Sequence, residues 1–224
     1  MRIRSGAMNP GPDASDAPRS PDELDAVLER SRELGFLGPG PIGPQRDHAR
    51  AFLEPLAGVS RALDPGSGGG LPGLVLAWEL PDLEVVLVDA MAKRCVFLTE
   101  AVLELGVTDR VTVVCGRAEE LARSDDLRHS VQVVVARSFG APGVLAECAV
   151  GFLSGPGARL LVSEPPDAAS SNERWPQAGL AELGLRRGGI SSGHGGTIQE
   201  LIVDTTAPER FPRRVGIPAK RPVF

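Results

Sequence analysis

Apolar positions along this chain fall into two rhythms. Leu24, Val27, Leu28 and Leu34 recur at helical spacing. Ser20 ahead of Pro21, with Glu23 three residues on, reads as the start of that helix: a hydroxyl cap, then a proline where no amide is needed, then an acid at the positive end. The stretch GFLGPGPIGP, residues 35–44, stops it, because three Pro and four Gly cannot sustain a helical hydrogen-bond ladder. A second helix is predicted from Gln45 to Leu56. From Arg61 onward the rhythm changes to short β-branched runs alternating with longer helical ones. Strands are predicted at Ala62–Asp64, Glu84–Asp89, Arg110–Cys115, Val131–Ala136, Arg159–Ser163, Leu185–Ile190 and Ile198–Asp204. Helical stretches near 71–80, 92–106, 118–123 and 142–153 separate the first five. That alternation predicts an α/β chain: a parallel sheet with helices on both faces, into which seven strands fit.

Composition and charge divide the chain further. Residues 1–20 are rich in Pro, Gly, Ser, Ala and Asp and are expected to be a disordered tail. Residues 21–58 form an N-terminal helical extension, 59–206 the α/β domain, and 207–224 a basic, Pro-rich C-terminal tail. The 224 residues suffice for one substantial core. A formal net charge of −5 argues against holding nucleic acid by bulk positive charge, though not against a local basic patch. No apolar run is long enough for a membrane span and the start lacks a signal-peptide core, so a soluble, cytoplasmic protein is expected. Cys95, Cys115 and Cys148 show no CxxC spacing, which makes neither a disulfide scaffold nor a metal site, and all three fall on apolar runs as expected core residues.

The strongest local signal is LDPGSGGGLPG, residues 63–73, set between the first predicted strand and a helix. A glycine turn there lets a ligand approach the backbone. Two frames compete. Gly68-x-Gly70-x-x-Gly73 matches a dinucleotide fingerprint, but Pro72 removes an amide that a pyrophosphate would use. An acid ending the strand followed by Gly66-x-Gly68-x-Gly70 matches S-adenosylmethionine sites, whose ligand has no phosphate and whose ammonium Asp64 or loop carbonyls can hold. Asp89 ends the second strand, where a carboxylate can accept both hydroxyls of an adenosine ribose. Arg117-Ala118-Glu119-Glu120 follows the third strand, at the usual place for adenine, although acids there also suit a helix start. His48, His129 and His194 are scattered and read as surface residues. Trp78 reads as packing for the first crossover helix; Trp175 reads as core packing or as a base-stacking residue near the substrate rim.

Five motifs together resemble one family, the small-subunit ribosomal RNA N7-methylguanosine methyltransferases called RsmG, formerly GidB. They are LDPGSGGGLPG, LVDAMAKRCVFL, GRAEE, VVARSF and FPRRVGIPAKRP, in that order over roughly residues 23–224. The resemblance implies a Rossmann-like seven-stranded class I methyltransferase fold with added N-terminal helices. By motif it implies S-adenosylmethionine contacts at Gly66, Ser67, Gly68, Leu71, Ala118, Glu119 and Arg137, with Asp89 on the ribose. The chain departs from the family on the acceptor side. LGFLGPGPIGP stands where Asn-Leu-Thr is usual, Arg50-Ala51 where Arg-His is usual, Val162-Ser163-Glu164-Pro165 where Leu-Lys-Gly is usual, and Gln199 near a usual base.

Guanine N7 carries a free in-plane lone pair, so methylation there needs no proton removal; alignment and exclusion of water suffice. Arg137, ending the fourth strand, is the expected active-site residue; a structural pairing with Glu119 or Glu164 is the other reading. Phosphate contacts are expected from Arg46, Arg50, Arg186, Arg187 and the cluster Arg213, Arg214, Lys220 and Arg221, for which a solvated tail is the competing reading. The leading function is methyl transfer to small-subunit rRNA or its ribosomal particle. The alternatives are a paralogue with another acceptor, such as a small molecule, and a cofactor-binding protein without transfer activity.

Overall fold

The structure, a computed structural model, describes residues 20–165 and 171–224; the expected tail over 1–19 lies outside the described residues. One seven-stranded sheet organises them in the order β3-β2-β1-β4-β5-β7-β6. The strands are β1 (Arg61–Pro65), β2 (Glu84–Asp89), β3 (Val111–Cys115), β4 (Val133–Ala136), β5 (Arg159–Glu164), β6 (Leu185–Gly193) and β7 (Gly196–Val203). The first five are parallel, as predicted. The last two are not: β7 runs antiparallel between β5 and β6. His194 and Gly195 join them at φ of 51° and 75°, a two-residue turn far too short for a crossover.

The period of two along each strand assigns the two cores. Ala62, Val85, Leu87, Val133 and Val135 face one, and Leu63, Val86, Val88, Val134 and Ala136 face the other. Helices α3 (Gly73–Glu79) and α4 (Ala92–Glu104) cover the first face, together with the extension α1 (Pro21–Glu33) and α2 (Ile42–Arg50). Helix α1 starts as read, with Ser20 Oγ accepting the Asp22 amide at 3.3 Å. Helix α2 begins three residues earlier than predicted and ends at Arg50, followed by a 3-10 turn at Glu54–Leu56. Pro44 is tolerated because it lies in the first turn, where amides have no intrahelical acceptor. Arg46 pairs with Asp25 at 2.6 Å and Arg50 Nε with Glu79 at 2.8 Å, tying α2 to α1 and α3.

Between β1 and α3 lies the glycine turn. Helix α3 starts at Gly73, whose amide donates to Asp64 Oδ2 at 3.0 Å. Asp64 is 1% exposed. Burial, with a smaller push from the Asp89 charge, raises its carboxyl to about 7, and the Gly73 amide opposes that only in part. From the other side, Ser31 Oγ of α1 donates to the Gly69 carbonyl at 2.9 Å. A Cβ on Gly69 would lie 2.5 Å from that hydroxyl, so the extension can close on the turn only over a glycine.

The second face carries α6 (Pro142–Val150), α8 (Gln177–Glu182), which follows the short α7 (Ser171–Arg174), and the C-terminal segment. That segment is irregular, as read, apart from the short α9 (Ile217–Lys220), but it is not a solvated tail. Phe211 and Pro212 are buried, and the Phe224 ring meets Trp175 edge-to-face at 6.3 Å. Arg213 donates to the fully buried Glu147 from its backbone amide at 2.7 Å, from Nε at 2.8 Å and from a terminal nitrogen at 2.6 Å. No helix among the described residues is long and apolar enough to cross a membrane.

Two outcomes are expected. Arg213→Met leaves the Glu147 carboxylate buried without its cation and lowers unfolding free energy by about 3–5 kcal/mol, most of it recovered in the Arg213→Met/Glu147→Met double variant. Urea unfolding checks this, and a loss below about 1 kcal/mol contradicts it. Asp64 has its carboxyl raised from 3.8 to about 7 on folding, so the folded state holds the extra proton between those values. Stability from this group therefore declines as pH rises through that window and levels off above it. Subtracting Asp64→Asn from wild type isolates the decline; a difference that does not vary with pH would assign Asp64 an ordinary acidity.

Candidate active site

Strand order reverses between β1 and β4, which opens a crevice at the carboxyl edge of the sheet. The glycine turn forms its floor. Gly66, Gly68 and Gly70 have φ of 69°, 56° and 99°. A Cβ on Gly66 would also lie 2.9 Å from the Phe139 ring, so both conformation and space require glycine there. Ser67 stitches the turn to the neighbouring strand. Its Oγ donates to the Asp64 carbonyl at 2.7 Å and accepts the Val88 amide at 3.1 Å, and its own amide donates to the Val88 carbonyl at 2.9 Å.

Asp89 completes this frame. Its Oδ2 accepts the Gly68 amide at 2.9 Å, its Oδ1 accepts the Met91 amide at 2.8 Å, and Arg94 of α4 lies 3.7 Å away. The carboxylate is nearly buried, behind the turn.

A cavity of about 200 Å³ opens over this floor. Gly66, Ser67, Gly68, Leu71 and Arg137 line it, as the sequence reading expected. Asp64 does not reach it, because its carboxylate is turned to the start of α3. Ala118 and Glu119 lie to one side, opening α5 (Ala118–Leu121) after β3. Ala118 is buried, and Glu119 Oε1 accepts the Gly216 amide of the C-terminal segment at 3.1 Å. Phe36, Leu37, Gln45 and Arg94 also line the cavity and were not singled out from the sequence. Arg94 sits in the LVDAMAKRCVFL motif, a signal that was available. The other three come from the extension, in or beside a Gly/Pro-rich stretch whose path no local pattern predicts.

Arg137 donates to the Gln45 carbonyl at 3.2 Å and pairs with neither Glu119 nor Glu164. Burial draws its pKa below the usual guanidinium range. Beyond Arg137 and Ser138 a second cavity of about 300 Å³ begins, reaching His48, Phe139, Ser163 and Glu164. His48 is thus half-buried at a cavity and not free on the surface. Its Nε2 lies 2.6 Å from Ser163 Oγ, and burial, then the Arg137 charge, lower its pKa from 6.5. His129 is half-buried with Nδ1 2.9 Å from the Leu153 carbonyl, whereas His194 stays exposed on the β6–β7 turn. Trp175 is fully buried, and its indole N–H donates to Glu164 Oε1 at 2.6 Å; it packs and does not stack a base. Trp78 packs α3 into the core as read. Cys115 is exposed, contrary to the core reading, because β3 is an edge strand. Cys95 and Cys148 are buried. Among the described residues no group of three His, Cys, Asp or Glu side chains gathers as for a metal.

Several bases expected to meet phosphate are already engaged. Arg46 and Arg50 hold α2, Arg186 lies 3.6 Å from Asp204, Arg187 donates to Asn172, and Arg213 holds Glu147. Gln199, on β7, is buried and donates to the Gly189 carbonyl of β6 at 3.1 Å. Arg210, Arg214, Lys220 and Arg221 form no ion pair among the described residues.

Residues 51–166 match the family model GidB, rRNA small subunit methyltransferase G. A ribosomal RNA small subunit methyltransferase G from Synechococcus sp. (strain RCC307) is 33% identical over 182 residues, covering 76% of this chain and 72% of the relative. That of Rubrobacter xylanophilus is 35% identical over 187 residues, covering 79% and 70%. In fold, the chain resembles an O-methyltransferase from Bacillus cereus in complex with SAH, with a TM-score of 0.59, 16% identity and coverage of 84% of this chain and 94% of that one. It also resembles the O-methyltransferase TomG from Streptomyces achromogenes in complex with SAM, with a TM-score of 0.56, 18% identity and coverage of 85% and 93%. A glycine turn pinned by a strand-end carboxylate, on a class I methyltransferase sheet and with sequence kinship over three quarters of the chain, leaves one conclusion: this chain belongs to the ribosomal RNA small subunit methyltransferase G family and is an S-adenosylmethionine-dependent methyltransferase.

Proposed function

We propose that this chain methylates N7 of a guanine in small-subunit ribosomal RNA, with S-adenosylmethionine as methyl donor. The observation that carries the reading is the meeting of two cavities at Arg137: one over the glycine turn, the other walled by β5 and α2. A donor site and an acceptor site must touch for direct transfer. The family relatives, named for the small ribosomal subunit RNA, support the acceptor.

The residues present suit the donor. Backbone at Gly66, Ser67 and Gly68, without side chains at two of the three, leaves room for a nucleoside amino acid, and Leu71 adds an apolar wall. Asp89 is assigned to the ribose hydroxyls, since each of its oxygens accepts one backbone amide and keeps a lone pair. The Ala118–Glu119 pair is assigned to the adenine edge. Bound there, S-adenosylmethionine supplies a methyl group on a positively charged sulfur. Phe36 and Leu37 shield that side from water, and Arg137 orients the acceptor from the seam between the cavities. No general base is required, because the N7 lone pair is already free.

Arg210, Arg214, Lys220 and Arg221 are assigned to RNA phosphates. The bond from Gly216 to Glu119 brings their segment to the carboxyl edge of the sheet, beside the transfer site. A protein that bound the cofactor without transfer would have no use for the second cavity, and nothing in the site favours a small-molecule acceptor over the family's RNA.

Labelled methyl transfer to purified small subunits, free rRNA and a metabolite extract tests the reading. The expected product is an N7-methylguanine in small-subunit rRNA; label confined to the metabolites would refute it. Asp89→Ala is expected to weaken S-adenosylmethionine binding at least tenfold, about 1.4 kcal/mol, by calorimetry, and unchanged affinity would take Asp89 out of the site. Arg137→Ala is expected to lower methyl transfer more than cofactor affinity; equal losses would reassign Arg137 to the donor alone.

A further inference from the structure

We propose that Glu164 reads the Watson–Crick edge of the acceptor base, which makes the second cavity a guanine-selective site. The proposal rests on the reading of guanine N7 as the acceptor and adds the residue that chooses the base.

Glu164 ends β5 at the carboxyl edge, one strand from Arg137, and lines the second cavity while remaining 8% exposed. The protein holds this carboxylate in place from behind. Trp175 donates to Oε1 at 2.6 Å, and Arg174 Nε sits 2.5 Å from Oε2. That second contact is charge to charge: Oε2 is shut off from solvent beside Arg174 and accepts no well-directed hydrogen bond among the described residues, which leaves Oε1 as the oxygen that can face a ligand. A carboxylate has about four lone-pair directions, so acceptor capacity remains after both contacts. A positioned, nearly buried acceptor of this kind calls for a ligand that brings donors.

Of the four RNA bases, guanine presents two adjacent donors, N1–H and the N2 amine, to such a group. Adenine places an acceptor, N1, beside its amine, so the carboxylate would face a lone pair. The same choice solves the orientation. N7 lies across the purine from the N2 amine, so a guanine anchored at Glu164 by its Watson–Crick edge turns N7 toward the donor cavity. O6 lies between those two edges, on the side where Arg137 offers donors. The Phe139 ring, fixed beside Gly66, supplies an apolar wall for the face of the base. Discrimination comes from the charge-assisted bond that a donor on the base makes to this positioned carboxylate, and from the repulsion met by a lone pair turned toward it.

The test is calorimetric titration of guanosine, inosine and adenosine 5′-monophosphates into protein saturated with S-adenosylhomocysteine. Inosine lacks only the N2 amine. Wild type is expected to bind the guanosine nucleotide at least tenfold more tightly than the other two. Glu164→Gln, which keeps an oxygen for the Trp175 N–H, is expected to bring the guanosine and inosine nucleotides within about twofold of each other, with S-adenosylmethionine affinity unchanged. Equal affinity of wild type for guanosine and inosine nucleotides, no guanosine nucleotide binding up to its solubility, or undiminished selectivity in Glu164→Gln would each overturn the assignment. The wild-type comparison decides even if the variant fails to fold. Guanosine selectivity together with no methyl transfer to small subunits would refute the RNA reading while leaving this one standing.

Discussion

A single carboxylate organises the transfer site. Asp89 accepts the Gly68 amide with one oxygen and the Met91 amide with the other, and so clamps the glycine turn to the start of α4. Charge-assisted bonds to backbone N–H are stronger than neutral ones, and near burial spares this pair much of the competition from water. The clamp is needed because a run of glycines loses more chain freedom on ordering than any other sequence of its length. Ser67 adds three bonds to the same frame, and Ser31 of the extension closes on the Gly69 carbonyl from outside. Floor, strand end and extension are thereby set relative to one another before any ligand arrives, which is the preorganisation that the proposed methyl transfer without a base depends on.

The C-terminal segment does comparable work on the opposite face. Its Arg213 neutralises the buried Glu147, its Gly216 amide occupies Glu119, and its last residue, Phe224, packs on Trp175. Trp175 in turn holds Glu164 at the mouth of the second cavity. A contiguous set of contacts thus runs from Phe224 to the second cavity. Gly179 shows how close the fit is: a Cβ there would come within 2.3 Å of the Phe224 ring.

An acidic chain can still hold a polyanion when its charges are sorted. Most arginines near the site are spent on internal carboxylates, from Arg46 on Asp25 to Arg174 on Glu164. Four bases that form no ion pair among the described residues, Arg210, Arg214, Lys220 and Arg221, lie together on the C-terminal segment, which the Gly216–Glu119 bond brings to the carboxyl edge of the sheet. Local field, not net charge, governs approach at distances within a Debye length.

The sequence by itself determined the alternating architecture, the place of the glycine turn and the carboxylate at the end of β2, because each follows from local spacing and from backbone conformations that few residues adopt. Strand ends agreed to within a residue or two wherever β-branched runs were bounded by polar turns, as at Glu84–Asp89. Tertiary structure alone decided where long side chains found partners: Arg137 on the Gln45 carbonyl, Asp64 on the start of α3, Glu164 under Trp175, and Arg213 on Glu147. These pairs join residues far apart in the chain, brought together by sheet order, and no periodicity encodes which of several arginines reaches which acid. The path of the Gly/Pro-rich stretch over the donor cavity was hidden for the same reason, since its backbone is held by distant packing and not by its own hydrogen bonds.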